Sequence, residues 1–418
     1  MNRIYAVGLV VGMLVSFDAA ATNGYFSHGW GTISMGMAGA GTAWSQDSLA
    51  AAANPAGMAF VGDRVDVGAE WFSPRREYAV EGGMTAPPPG TFFLEPGKVT
   101  SNAEHFIIPD FGYNRQISER HTVGLTIFAN GGMRTDYPKS TFCPPCADGD
   151  TGVDLAQVFI APTWTFRFAE DQALGVSPII AWQRFEIENV GSFAPFSSDP
   201  QNLSDRGFDK SWGFGLQIGW QGALGAGVRG GISYRSKIYM QAFNRYRGLF
   251  AEQGDFDIPP MINAGLAWKF TPNQHLLLDI QHVAYSEIDA VGNPMLPHLQ
   301  LARLGDDDGA GFGWDDVTTL KLGWQWDPNE RHAWRAGVSY GEQPIPDSEV
   351  LFNILAPGVP EWHFTGGFTH RFERLELSGM VFYAPSKSVT GNNPLGPGQE
   401  ITLRMYQVGA SVSLGWKL

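Results

Sequence analysis

Over residues 405–418, MYQVGASVSLGWKL, large apolar side chains fall at every second position. Tyr406, Val408, Ala410, Val412, Leu414, Trp416 and Leu418 form one face, and Gln407, Gly409, Ser411, Ser413, Gly415 and Lys417 the other. Strict period 2 marks a β-strand, because successive side chains point to opposite sides of the pleat. The run is long enough to cross a bilayer as a tilted strand. SWGFGLQIGW repeats the pattern, with Trp212, Phe214, Leu216, Ile218 and Trp220 on one face and small or polar residues on the other. LKLGWQW and HAWRAGVSY do the same. A soluble sandwich also alternates, but it rarely ends so many strands in Trp or Tyr, which suit a bilayer interface.

About fourteen such runs are readable, an even number as a single-chain bacterial barrel requires. They fall near 63–72, 105–116, 121–131, 154–168, 172–189, 210–221, 226–240, 259–270, 275–287, 313–326, 332–342, 361–372, 374–384 and 401–418. Short connections such as ISER, GALG and TPNQ alternate with long ones. Short periplasmic turns and long outer loops characterise outer-membrane barrels, and the alternation places both termini on the periplasmic side. The predicted fold is all-β, a fourteen-stranded antiparallel transmembrane β-barrel over 63–418.

Two segments break the pattern. Met1-Asn2-Arg3, the uncharged run Ile4–Phe17 and Ala19-Ala20-Ala21 read as a signal peptide over 1–21. Residues 22–62 are Gly/Ala-rich and nearly uncharged. Within them, SLAAAANPAGMAF predicts a short helix through Ala53, capped by Asp47 or Ser45 and stopped by Pro55. A segment this apolar, entering on the periplasmic side, is expected to fold into the lumen as a small, partly helical hatch.

Composition sharpens this picture. The net charge of −14 argues against nucleic-acid binding. The 52 glycines, 28 phenylalanines and 14 tryptophans suit tight turns and aromatic girdles. Cys143 and Cys146 form Cys-x-x-Cys in an exported loop, where a local disulfide is the expected state and free thiols the alternative. Gly36, Gly39 and Gly41 lack dinucleotide-loop spacing, and neither Gly-x-Ser-x-Gly nor His-Glu-x-x-His occurs. GDDDGAGFGWDD misses the EF-hand pattern. No catalytic residue, metal or cofactor is expected.

The outer loops carry more aromatic residues than folding in water explains. Phe193 and Phe196 lie in the third loop; Phe243, Tyr246 and Phe250 lie in the fourth, with Arg245 and Arg247 among them. Such apolar surface marks a binding site or a packed cap. The ligand-binding candidates are therefore Phe193, Phe196, Phe243, Arg245, Tyr246, Arg247 and Phe250, the arginines as carboxylate partners.

NGYFSHGWG, MGMAGAGTA and DSLAAAANPAGMAF resemble the N-terminal hatch of the FadL/TodX family of outer-membrane hydrophobic-compound channels. TDYP, TGVDLAQVFIAPTW, DIQHVAYSEI and Trp314-Asp315-Asp316 are similar too, so the likeness spans nearly the whole mature chain. The resemblance implies a plugged fourteen-stranded barrel. It also implies passive uptake of long-chain fatty acids or hydrocarbons, with sideways exit through the wall into the outer membrane and its lipopolysaccharide. Its Asn-Pro-Ala motif falls on Asn54, Pro55 and Ala56, expected to latch the hatch to the third strand, where Gly124, Gly131 and Gly132 tolerate a kink. The chain departs from common barrels in ending on Leu418 rather than an aromatic residue. Rival readings are an outer-membrane lipase-like enzyme, which would need a nucleophile beside a histidine, and a structural or adhesive barrel.

Overall fold

The computed structural model describes residues 23–83, 92–142 and 149–418. The expected leader 1–21 and the pair Cys143 and Cys146 lie outside the described residues. Fourteen long strands form one closed antiparallel sheet. They are β1 Arg64–Gly82, β2 Phe106–Gln116, β3 His121–Tyr137, β4 Thr151–Ala169, β5 Gln172–Glu188, β6 Asp209–Gly225 and β7 Val228–Arg235. Then follow β8 Met261–Thr271, β9 Gln274–Val283, β10 Val317–Asn329, β11 His332–Gly341, β12 Trp362–Arg371, β13 Leu375–Asn392 and β14 Gln399–Lys417. β14 closes on β1 from Arg64↔Lys417 to Gly82↔Gln399. Two short strands, Gly97–Thr100 and Tyr239–Met240, pair with β1 and β6.

The alternation read from the sequence is turned inside out relative to a soluble protein. On β14, Val412, Leu414 and Trp416 are exposed, while Gln407 and Ser411 are buried in the lumen. Exposed rings cluster at both strand ends: Trp268, Trp326, Trp334 and Trp416 near the short turns, Trp212, Trp362 and Tyr340 near the long loops. These are the two interfacial belts of a membrane barrel. Among the described residues no helix is long and apolar enough to cross a membrane.

Several strands differ in length from the pattern. β1 and β13 run about ten residues past their expected ends, to Gly82 and Asn392. Their extensions pair above the apolar belt, where polar side chains such as Arg75 and Glu77 carry no lipid-facing signal. β7 is shorter, because the chain leaves the ladder after Arg235 and Ser236 donates its N–H to the Leu216 carbonyl.

Residues 23–62 fill the lumen on the side of the short turns. Their helices are single turns, Thr32–Met35 and Ala50–Ala53, followed by a 3₁₀ segment, Pro55–Phe60. Neither Asp47 nor Ser45 caps the alanine turn, whose N-cap is Leu49; Asp47 instead accepts the Leu49 N–H at 3.0 Å. Turns this short leave most backbone groups unpaired. The polar inner wall supplies partners: Asp279 accepts from Gly41 and Thr42 at 2.8 Å each, Lys321 donates to the His28 carbonyl at 2.8 Å, and Asp66 accepts from Ser48 at 2.9 Å.

β14 closing on β1 leaves the sheet no terminal edge strand, so the barrel is expected to resist detergent until heated. Unheated and boiled samples should migrate differently on a denaturing gel; identical mobility would contradict the closed ladder.

Candidate functional site

Under the outer loops lies a narrow apolar pocket. Phe193 and Phe250 line it, together with Phe185, Phe312, Phe352 and Leu304. Phe193 meets Phe352 edge-on at 5.3 Å, and Phe250 meets Phe185 at 4.7 Å. Rings then continue inward. Phe250 packs on Phe256 at 4.9 Å, Phe256 on Tyr25 at 6.1 Å, and Tyr25 on Tyr285 and Trp314 at 5.2 and 5.8 Å. An unbroken aromatic chain thus joins the mouth to the first residues of the hatch.

The other loop candidates sit elsewhere. Phe243 and Tyr246 are fully buried behind Phe185, and Tyr246 donates its hydroxyl to the Gly207 carbonyl at 2.9 Å. Phe196 is half-buried against the core. Arg245 and Arg247 are exposed and already bonded, which removes them from the pocket. Arg247 forms a close ion pair with Asp199, and Arg245 donates to the Arg206 carbonyl at 2.9 Å. Hydrogen bonds from Asn202 and then Arg247 hold the Asp199 carboxyl below its ordinary range.

The buried cation near the path is one that sequence reasoning missed. Arg76 is 3% exposed, and both its Nη atoms are buried with no hydrogen-bond partner among the described residues. It lines a small cavity with Gly24, Met133, Trp314, Leu355 and Met405. The Phe106 ring lies 6.0 Å from its guanidinium carbon. Arg76 falls among Arg75, Glu77 and other charges, where no local signal separates an inward, unpaired arginine from a solvated one. Arg235 is the second such guanidinium. It donates to the Asn130 side chain at 2.9 Å and lies over Phe26 and Phe159, while Nε and Nη1 lack partners among the described residues.

Below Arg76 the wall splits. β2 and β3 pair only from Gln116↔Thr122 to Phe111↔Ile127. Above that point β2 continues on β1 alone and β3 on β4 alone. The β3–β4 register shifts between Ala129 and Gly131, leaving Asn130 as the bulged residue. The hatch replaces β2 as β3's partner: Ser27 N–H donates to the Asn130 carbonyl at 3.1 Å, and Gly132 N–H to the Tyr25 carbonyl at 2.9 Å. Trp30 Nε1 donates to the Ala129 carbonyl at 3.1 Å. A side chain at Gly131 would collide with Tyr25, so glycine is required there. Gly124 lies lower, in regular ladder, facing the Met58 side chain.

Asn54 does not meet the third strand; its wall partner is β6. Its Nδ2 donates to the Thr42 carbonyl at 2.8 Å and the Trp220 carbonyl at 2.9 Å, while Oδ1 accepts the Ala56 N–H at 3.1 Å. Gly219 and Gly175 stand where any Cβ would strike Asn54 and Ala56. Sequence spacing carried no information on which wall strand the motif would reach, because the hatch folds back across the lumen.

A family model described as outer membrane protein transport protein (OMPP1/FadL/TodX) matches residues 13–377. The chain belongs to this family. Its members are transporters of the outer membrane, not enzymes. Solved structures of similar fold include the toluene transporter TodX of Pseudomonas putida, at 16% identity and TM-score 0.67, covering 94% of this chain and 99% of that one. A FadL homologue of Pseudomonas aeruginosa, at 17% identity and TM-score 0.68, covers 94% and 99%. The toluene transporter TbuX of Ralstonia pickettii, at 16% identity and TM-score 0.62, also covers 94% and 99%. A search of curated protein sequences returns no significant match.

Asn54→Ala strips a partner from two buried backbone groups, the Thr42 carbonyl and the Ala56 N–H, each worth about 1–3 kcal/mol when left unsatisfied, and from the part-buried Trp220 carbonyl. Hydrogen exchange over residues 42–60 should accelerate while the heat shift on gels persists, since the ladder is untouched. Unchanged exchange would mean that Asn54 does not hold the hatch.

Proposed function

We propose that this protein passively carries hydrophobic molecules bearing one carboxylate, of the long-chain fatty acid class, from the outer loops into the outer membrane. Arg76 is the observation that carries this reading. A buried charge without a partner costs several kcal/mol, which an incoming anion recovers. Its two free Nη atoms form a fork that matches a carboxylate. The apolar walls around it suit an alkyl chain. Capture begins in the pocket of Phe193 and Phe250, where ring burial supplies affinity. The ring chain leads to Tyr25 and the hatch, and the split between β2 and β3 is the sideways exit. On this reading Asn54, Pro55 and Ala56 anchor the hatch on β6, so that Tyr25–Trp30 stay pressed into the split.

A neutral hydrocarbon is the second reading. It is favoured by the absence of a charged side chain among the residues lining the mouth pocket. The two readings separate on Arg76→Met. With purified protein in detergent, the ratio of oleate to methyl oleate affinity should fall about tenfold to a hundredfold, the worth of hydrogen bonds to a charged group. An unchanged ratio would favour the neutral ligand. Phe193→Ser with Phe250→Ser should weaken both ligands; unchanged affinity would move the capture site elsewhere.

A further inference from the structure

The split in the wall holds a second unexplained feature. A cavity there is lined by Trp30 of the hatch, Ile108 and Asp110 of β2, Phe128 and Ala129 of β3, and Glu70 of β1. Glu70 is 7% exposed and makes no hydrogen bond or ion pair among the described residues. Asp110 lies on the neighbouring strand, two residues out of register, and its Oδ1 is buried without a partner. Both side chains point into the lumen at the edge of the unpaired seam.

Among the described residues no cation is placed to neutralise them. On β1, Arg64 is engaged by Asp66 at 2.6 Å and Glu376 at 2.9 Å. Arg76 stands six residues further along, about 20 Å by strand rise. The mutually tilted rings of Phe72 and Phe106, 6.2 Å apart, lie between. Arg134 of β3 is paired with Asp154. The remaining charged groups near Asp110 are the acids Asp47 and Asp66. Two carboxylates in a largely apolar cavity with no counter-charge cannot both stay ionised. At least one carries a proton.

We propose that Glu70 and Asp110 form a proton-donating pair that neutralises the passenger's carboxylate at the exit. This rests on the reading above, that the passenger is a carboxylate. A carboxylate leaving Arg76 enters the bilayer only at great cost, whereas the neutral acid enters readily. In the step, the O–H bond of one carboxyl of the pair breaks and its proton bonds to a passenger carboxylate oxygen. The pair enters the step with both carboxyls protonated; the passenger departs as a neutral acid, and the pair keeps one proton and a single negative charge. A proton from periplasmic water restores the pair once the passenger has gone. Positive charge at Arg76, rings between, and proton-bearing acids at the seam then form a sequence of environments along β1. Each suits the next state of the same ligand.

The test uses cells producing the full-length protein with Glu70→Gln and Asp110→Asn together, and follows uptake of labelled oleate and methyl oleate. At pH 7.5 the ratio of oleate to methyl oleate uptake should fall at least tenfold. As pH drops, bulk water protonates oleate itself, so the variant's ratio should climb back toward wild type, a recovery that mere structural damage would not produce. Glu70→Asp, which keeps an acid, should restore the ratio, and the gel heat shift reports folding. A double variant with the wild-type ratio and pH profile would overturn the proton-donor role and leave the carboxylate reading standing. A wild-type protein that takes up methyl oleate but not oleate would overturn both.

Discussion

In a bilayer every backbone N–H and C=O that faces lipid needs a partner inside the protein, and this constraint governs the rest of the molecule. Closing β14 on β1 meets it around the wall. Among the described residues, a long interruption is the unpaired stretch between β2 and β3. There the hatch residues Tyr25 and Ser27 bond the exposed edge of β3. A break in the ladder is tolerated because a second piece of the chain plugs it from within. The seam and the plug are thus one structural arrangement, and the bulge at Asn130 is where the wall turns to accept the hatch.

The same constraint explains the inverted interior. A hatch made of single helical turns cannot satisfy itself. Carboxylates, amides and a lysine on the inner wall reach its backbone, as Asp279, Asn114 and Lys321 do. Small residues on both surfaces let the backbones approach. The polar lumen is occupied mainly in holding the hatch. Against that background three inward charged residues stand apart: among the described residues Arg76 and Arg235 keep unbonded guanidinium nitrogens, and Glu70 makes no hydrogen bond or ion pair. They lie around the hatch edge and the seam.

What the sequence determined by itself was local. Period-2 alternation identified fourteen strands, their inward and outward faces, and the alternation of turns and loops, because the pleat writes burial directly into neighbouring residues. The hatch and the helix-ending Asn54-Pro55 were legible for similar reasons. Phe193 and Phe250 were legible as aromatic residues too many for a solvated loop. Tertiary structure alone decided which groups meet across the lumen. Lys321 reaches His28 across 293 residues, Asn54 lands on β6 rather than β3, and Asp199 takes Arg247 away from any ligand. Whether Arg76, Glu70 and Asp110 keep partners depends on cross-strand register and on where the hatch edge falls. Neither is encoded within a window of neighbouring residues, since an unpaired inward charge and a paired one have the same local sequence and differ only in what the closed barrel places opposite them.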